Sequence, residues 1–266
     1  MLWFEAERIP PGNWPFLTTT YAGLRELEAS LTGSVDLTEG NRQLTTTGCL
    51  DAYRRAILRR TLDLAQAVIA SWNAGQPIGS VVCARALLET LATFHSLQTR
   101  AQIAADNGDW EEIENLVDCY AFSSSPYLGK GRREPQAPPP VGRMVRTFIG
   151  ATQPGSEKFW NQICEVAHPN GQTLMSFGGI LRERRFDPPS SESNEGRLFQ
   201  ALYNCLYSCC WLIGAMLDFD ILCEHIRIGA PPPDNHPLVR EKTFIDRLVD
   251  DLSVGDGGEG STDQNE

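Results

Sequence analysis

The sequence predicts an all-α protein: an antiparallel helical bundle with an irregular proline-rich insertion and a disordered acidic C-terminal tail. Long stretches repeat apolar residues near every 3.6 positions, which is typical of amphipathic helices. Glycine and proline separate these stretches, and no alternation of strand and helix patterns is visible. The hydrophobic share of 41% is ordinary for a chain that buries a core.

The chain divides into four predicted segments. They are an N-terminal segment with a short helix (1–43, helix Tyr21–Leu31), the helical bundle (44–229), a short C-terminal amphipathic helix (230–252, helix Val239–Leu252) and the disordered tail (253–266). The tail combines low apolar content with acidic, Gly-rich composition, so it cannot bury enough surface to offset its ordering entropy.

Within the bundle, the apolar period predicts six helices, over 44–72, 78–105, 110–122, 141–151, 157–168 and 197–228. Gly75 and Pro77 separate the first two, because Gly favours a helix end and Pro a helix start. Asp109 is placed to cap the third helix. Residues 123–140 are the Pro-rich insertion and 187–196 a second linker, since neither shows a period.

Charge and composition indicate a cytoplasmic protein. Glu5 and Glu7 interrupt the apolar start that a secretory signal needs. Residues 198–217 are uncharged and long enough to cross a bilayer, but Gln200, Asn204 and Ser208 form a polar stripe, which favours a soluble bundle helix without membrane contact. Of the net charge of −11, eight acids and two bases in residues 241–266 carry −6, so the body is mildly acidic and does not invite nucleic acid.

No metal or cofactor site is expected. Cys205, Cys209 and Cys210 share a helix face without Cys-x-x-Cys spacing and are read as buried core thiols. Glu165 and His168 have the Glu-x-x-His spacing of di-iron bundles, but only one such pair is present. The GxGxxG match at 255–260 has no strand before it and no helix after it, so it is a chance match.

Two sets of charged residues can be interpreted either as solvated ion pairs or as functional sites. Arg85 and Glu89, four residues apart, are either a solvated ion pair or part of an inward-facing site with His168. Spacing alone favours the solvated pair. A second cluster of arginines lies on the first long helix and could hold phosphates, but two nearby acids, Asp51 and Asp63, are spaced to pair with half of it (Arg54, Arg55, Arg59, Arg60).

The runs CARALLETLATFH (83–95) and FWNQICEVAHPNGQTLMSFGG (159–179) resemble a family of uncharacterised bacterial helical proteins. That family carries Arg-x-x-x-Glu on one helix and aromatic-x-x-Leu-Cys/Ser-Glu-x-x-His-Pro-Asn on another. The matching residues here are Arg85, Glu89, Trp160, Ile163, Cys164, Glu165, His168, Pro169 and Asn170. The family is distantly similar to HEPN-type helical domains, which include metal-independent ribonucleases and inactive binding versions. The resemblance implies that Arg85, Glu89 and His168 form an inward-facing polar cluster.

The HEPN ribonuclease pattern, Arg-x4-6-His, is missing. The positions that would hold its Arg are Asn161, Gln162 and Ile163 before His168. The first expectation is therefore a non-enzymatic binding protein with a protein partner, in a stress or defence setting. The alternative is a ribonuclease with His168 as acid–base and Arg85 as phosphate clamp, and only this alternative has RNA as a ligand.

Overall fold

The structure, a computed structural model, describes residues 1–12, 14–31, 33–37, 39, 45–121, 139–167, 180–182, 185–187 and 191–229. These residues form one 3-10 turn (Ala6–Arg8), a hairpin of two short strands and eight α-helices. The helices are α1 (Leu17–Ser30), α2 (Thr46–Asn73), α3 (Pro77–Asp106), α4 (Trp110–Ala121), α5 (Val141–Thr152), α6 (Glu157–Ala167), α7 (Ser191–Tyr207) and α8 (Cys209–Ile228). The strands, β1 (Ile180–Arg182) and β2 (Arg185–Asp187), pair antiparallel.

The prediction of an all-α bundle is confirmed. Most of the predicted insertion, the predicted helix Val239–Leu252 and the tail 253–266 lie outside the described residues. The boundaries of the two long helices agree with the sequence pattern, and α1 begins earlier than expected, at Leu17. The proposed cap is present: the Glu112 amide donates to the Asp109 carboxylate across 3.1 Å.

The predicted linker 187–196 is wrong in its second half, and the predicted helix 197–228 begins earlier, at Ser191, in a helical stretch that continues to Ile228. β2 ends at Asp187 and α7 already begins at Ser191, so a polar stretch that resembles a loop is the first turns of a helix. Serine and glutamate suit helix starts as well as loops, which is why composition misled. The long helix is interrupted at Ser208, whose hydroxyl donates to the Asn204 carbonyl across 2.9 Å; such bonds commonly bend helices.

Helix α3 is the centre of the bundle and packs against α2, α4, α5, α6, α7 and α8. Its fully buried side chains include Leu87, Leu91 and Phe94. Helices packed on several sides need apolar residues over most of their circumference, and α3 has them through its middle turns. Arg85 and Glu89 are charged residues on this helix, and they lie where it is partly open to solvent, at 27% and 28% exposure.

Residues 3–8 are fastened to the end of α2. The Trp72 indole N–H donates to the Arg8 carbonyl across 2.7 Å, and the Asn73 side-chain amide donates to the Trp3 carbonyl across 2.9 Å. The Glu5 amide returns a bond to the Asn73 side-chain oxygen across 3.1 Å. Phe4 packs in the core at 6% exposure. This segment is thus part of the bundle's packing, held by both polar and apolar contacts.

Two helical stretches are long and apolar enough to cross a membrane by length and composition. The window in Pro77–Asp106 has mean hydropathy 1.3 and is 50% buried, and the window in Glu195–Ile228 has mean hydropathy 1.5 and is 72% buried. Two of the stripe side chains bond to carbonyls within this stretch: the Asn204 amide donates to the Gln200 carbonyl across 2.8 Å, and the Ser208 hydroxyl donates to the Asn204 carbonyl across 2.9 Å. Core helices of a bundle meet the same test, so these stretches are weak evidence for a membrane span.

We expect the protein to be recovered in the soluble fraction without detergent, because the apolar faces of α7 and α8 already contact other helices. The measurement is fractionation followed by carbonate extraction of the membrane pellet. Recovery only after detergent extraction would contradict the bundle arrangement of these two helices.

Candidate functional site

Arg85 and Glu89 form an ion pair where α3 faces α6. The Arg85 Nε and the Glu89 Oε1 lie 2.9 Å apart, and their side chains are 27% and 28% exposed. The Arg85 guanidinium carbon is 6.0 Å from the centre of the Trp160 ring on α6, within the range of a cation–π contact. The pair is therefore half-buried. Its exposure lies between that expected of a solvated ion pair and that expected of an inward-facing cluster, the two interpretations that the sequence allows.

Cys164 lies beside this pair, one turn after Trp160 on α6. Burial raises the pKa of its thiol above the usual value; Arg85 acts to lower that pKa, and Glu89 and Glu165 act to raise it. A thiol whose pKa is raised stays protonated at neutral pH and is a poor nucleophile. Cys164 thus contributes packing to this surface, which we call the α3–α6 surface (Arg85, Glu89, Trp160 and Cys164).

His168 lies outside the described residues, and α6 ends at Ala167, immediately before it. The structure brings Arg85 and Glu89 together. The contact of both with His168 stays a prediction. Trp160 and Cys164, two turns and one turn before position 168, both lie near Arg85.

The two described histidines are packed among aromatic rings. His95 lies 5.5 Å from the Trp211 ring and 5.6 Å from the Phe148 ring, and burial lowers its pKa, so it is neutral at pH 7. His225 is 2% exposed and its ring centre is 6.0 Å from that of Trp110. His225 is therefore a core histidine, and His95 is partly buried at the edge of an aromatic cluster.

A charged network that the sequence did not predict links α2 to α8. Arg54 donates to Asp51 across 2.7 Å and contacts Asp220 of α8 across 2.9 Å, with its side chain 19% exposed. Burial raises the pKa of Asp220, while Arg54 acts to lower it. Further along α8, Arg227 pairs with Glu224 and, across 2.9 Å, with Glu39.

Arg54 and Asp220 of this network line two clefts, of about 340 and 520 Å³. The signal in the sequence was the recurrence of Asp220, Glu224 and Arg227 every three to four residues within an otherwise apolar helix. The pairs expected on α2 are present: Arg55 lies 3.4 Å from Asp51, and Arg59 lies 3.1 Å from Asp63. These arginines are consequently neutralised by carboxylates.

A metal ion needs several His, Cys, Asp or Glu side chains grouped around one point, so the placement of the cysteines and acidic residues matters. All eight cysteines are free, and Cys205, Cys209 and Cys210 are at most 2% exposed. Burial raises the pKa of the Cys210 thiol to about 12. Within the described ranges, no three His, Cys, Asp or Glu side chains are grouped as a metal ion would need.

Comparison with protein-family models, with curated proteins and with solved structures gives no match. The resemblance to the HEPN-like family therefore rests on the motif residues alone.

Replacing Glu89 with glutamine should lower the free energy of unfolding by about 1 kcal/mol, between the values for exposed and for buried pairs. The half-buried position of the pair is the reason. Urea denaturation of Glu89→Gln against the wild type measures it. A double-mutant cycle with Arg85→Met isolates the pair, and a coupling energy near zero would show that Glu89 acts through other contacts.

Proposed function

We propose that this chain is a non-enzymatic helical binding protein of the cytoplasm that acts through a protein partner. The observation that carries the proposal is the state of Arg85. Its guanidinium is paired with Glu89 across 2.9 Å and lies over the Trp160 ring. A half-buried arginine that an ion pair and a buried ring hold in place is suited to recognition, because arginine is among the side chains that dominate binding energies at interfaces.

The same pairing weighs against phosphoryl chemistry. A phosphate clamp needs a guanidinium whose charge is available to the phosphate. At the α3–α6 surface the Glu89 carboxylate would repel the phosphate that Arg85 is meant to hold. The net charge of −11, of which residues 241–266 carry −6, also disfavours an approach by RNA.

The state of the thiols supports the cytoplasmic setting. All eight cysteines are free, and most are buried in the helical core. Proteins of oxidising compartments usually use such a number of cysteines for disulfides, whereas reducing compartments keep them as thiols. The stress or defence context rests on the family resemblance.

A second candidate is a metal-independent HEPN-like ribonuclease with His168 as acid–base, Arg85 as phosphate clamp and Glu89 beside it. One observation favours it: Trp160 and Cys164 of α6, which precede His168 in the chain, already lie near Arg85. In this alternative Arg85 would have to exchange Glu89 for the phosphate when RNA binds.

We expect the purified protein to leave single-stranded RNA and transfer RNA intact over hours in the presence of EDTA. The reason is that the Arg85 guanidinium, which would hold the phosphate, is already paired with the Glu89 carboxylate. Gel analysis of end-labelled RNA measures this. His168→Ala, prepared in parallel, separates intrinsic cleavage from a contaminant: cleavage by the wild type that disappears in this variant would establish the ribonuclease instead.

The binding function is tested by comparing partners recovered with the wild type and with surface variants. Trp160 is a core residue at 6% exposure, so the variant of choice is Arg85→Ala, with Arg59→Ala as the matched control on an exposed ion pair. We expect a partner whose recovery, and whose affinity once purified, falls at least tenfold for Arg85→Ala alone. Equal recovery with both variants would show that the α3–α6 surface is not the binding site.

A further inference from the structure

The smaller of the two clefts beside Arg54, about 340 Å³ in volume, has an apolar interior. Side chains of α1, α2 and α8 and the residue that follows α1 supply it: Leu27, Leu31, Leu58, Ile213, Met216 and Leu217. Four of these six belong to the hydrophobic core and are at most 8% exposed, so the floor of the cleft is part of the core. Small-molecule sites are clefts of about 300–1,000 Å³ that are mostly apolar with a few polar groups, and this cleft meets both conditions.

Contacts between the helices fix the walls of this cleft. Arg54 of α2 contacts Asp220 of α8 across 2.9 Å, and both side chains line the cleft. Gly23, one turn before Leu27, lets α1 approach α8 closely, because a Cβ atom at position 23 would lie only 2.9 Å from the Cys210 Sγ. The cleft is therefore formed by the packing of the bundle itself, as ligand sites usually are.

The hydrogen-bond donors that line the cleft already have partners within the protein. Arg54 has ion pairs with Asp51 and Asp220, and Arg55 lies 3.4 Å from Asp51. The Ser30 hydroxyl donates to the Leu27 carbonyl across 2.8 Å. An anionic ligand would have to compete with these partners, so the donors of the cleft do not favour one.

Glu26 lines the same cleft and is a hydrogen-bond acceptor without such a partner. In the part of the chain that the structure describes, its carboxylate has neither an ion pair nor a hydrogen bond. Asp220 adds a second carboxylate, which Arg54 contacts through Oδ1 and which is 42% exposed. A ligand that donates hydrogen bonds fits these acceptors, and a cation fits best, because charge-assisted hydrogen bonds are the stronger ones. The net charge of −11 also favours the approach of cations.

We propose that this cleft binds a small organic cation, an amine whose ammonium group pairs with Glu26 and whose apolar body lies against Leu58 and Met216. Asp220 is the second acceptor in the same cleft. The site shares no residue with the α3–α6 surface, so it adds a small-molecule ligand to the binding of a protein partner.

The probe for this site is hexylamine, with hexan-1-ol as its neutral counterpart and hexanoate as its anionic counterpart. At pH 7 an alkylamine, like the lysine side chain with its pKa of about 10.4, is protonated. Binding is followed in ¹H–¹³C spectra of the isoleucine and methionine methyl groups, because Ile213 and Met216 line the cleft. We expect saturable shifts at these two residues and an affinity for hexylamine about tenfold above that for hexan-1-ol. Pentylamine and butylamine should each bind about fourfold more weakly than the amine one methylene longer, because less apolar surface is buried.

The deciding variant is Glu26→Gln, with Glu28→Gln as the matched control. Both substitutions remove one negative charge from α1, but Glu28 does not line the cleft and instead pairs with the N-terminal amine across 3.3 Å. Glu26 is exposed, so Glu26→Gln should fold. We expect Glu26→Gln to bind hexylamine and hexan-1-ol equally, and Glu28→Gln to keep the preference of the wild type.

Three results would overturn the proposal. The first is the same change, or no change, in both variants, since the preference would then reflect only the overall charge of the chain or other groups. The second is binding of hexanoate as tightly as hexylamine. The third is the absence of saturable shifts at Ile213 and Met216 with any of the amines.

Discussion

Replacing Phe199 with alanine should lower the free energy of unfolding by about 3–5 kcal/mol, the usual cost of removing a fully buried phenylalanine. Phe199 on α7 is completely buried and lies where three other aromatic rings meet. Their ring centres are 5.0 Å away for Phe4, 4.9 Å for Trp14 and 5.4 Å for Trp72. The cavity would remove the common partner of residues 3–14 and the end of α2. Equilibrium urea denaturation gives the value.

The matched control is Phe16→Ala, which truncates a half-buried ring that stacks on Tyr207 at 5.2 Å. Its expected cost is about 1–2 kcal/mol, because less apolar surface returns to water. Phe199→Ala should in addition accelerate hydrogen exchange in residues 3–8, while exchange within α3 follows only the global change. Equal costs for the two variants would contradict the central place of Phe199.

Replacing Arg54 with methionine should lower the free energy of unfolding at pH 7 by about 2 kcal/mol, between the values for exposed and for buried pairs. Arg54 joins Asp51 of α2 to Asp220 of α8 by an ion pair with each, and its side chain is 19% exposed. Without it, Asp220 loses its ion pair and faces Asp51, which Arg55 still contacts across 3.4 Å. Arg59→Met, on a pair exposed by 66% and 57%, is the control and should change stability little.

The loss of stability in Arg54→Met should become smaller as the pH falls. Asp220 has a pKa raised above its usual value of 3.8, chiefly by burial, so the folded state holds the proton more tightly than the unfolded state. Such a group lowers stability as pH rises through the interval between the two pKa values. In Arg54→Met the lowering effect of the guanidinium is gone, so the pKa rises further and that interval extends upward. Denaturation midpoints from pH 7 to pH 5 should converge on the wild type; a constant difference would exclude Asp220 as the cause.

Local patterns were enough to predict the long helices. Both ends of α2 and of α3 agree with the sequence expectation within two residues, because glycine, proline and the apolar period act over neighbouring positions. The start of α7 was missed because a Ser- and Glu-rich stretch suits a loop and a helix start equally well. Whether such a stretch forms a loop or a helix start is decided by how the rest of α7 packs on the bundle.

Among the charged residues, a contact within one helix could be predicted from the sequence, whereas a contact between two helices could not. The contact between Arg85 and Glu89 follows from their spacing on one helix, so it could be predicted before the structure. The contact of Arg54 with Asp220 joins α2 to α8 and depends on how the two helices cross. No sequence spacing encodes such a crossing, and a pattern of acids along α8 indicates only which face is polar.

The aromatic cluster around Phe199 imposes a waiting time on the newly made protein. Phe4 and Trp14 find their ring partner only after Phe199 has been synthesised, almost two hundred residues later. At the usual elongation rates of about 5–20 residues per second, those early side chains wait about 10–40 s for this partner. The aromatic cluster, and with it this part of the core, is therefore completed only late in synthesis.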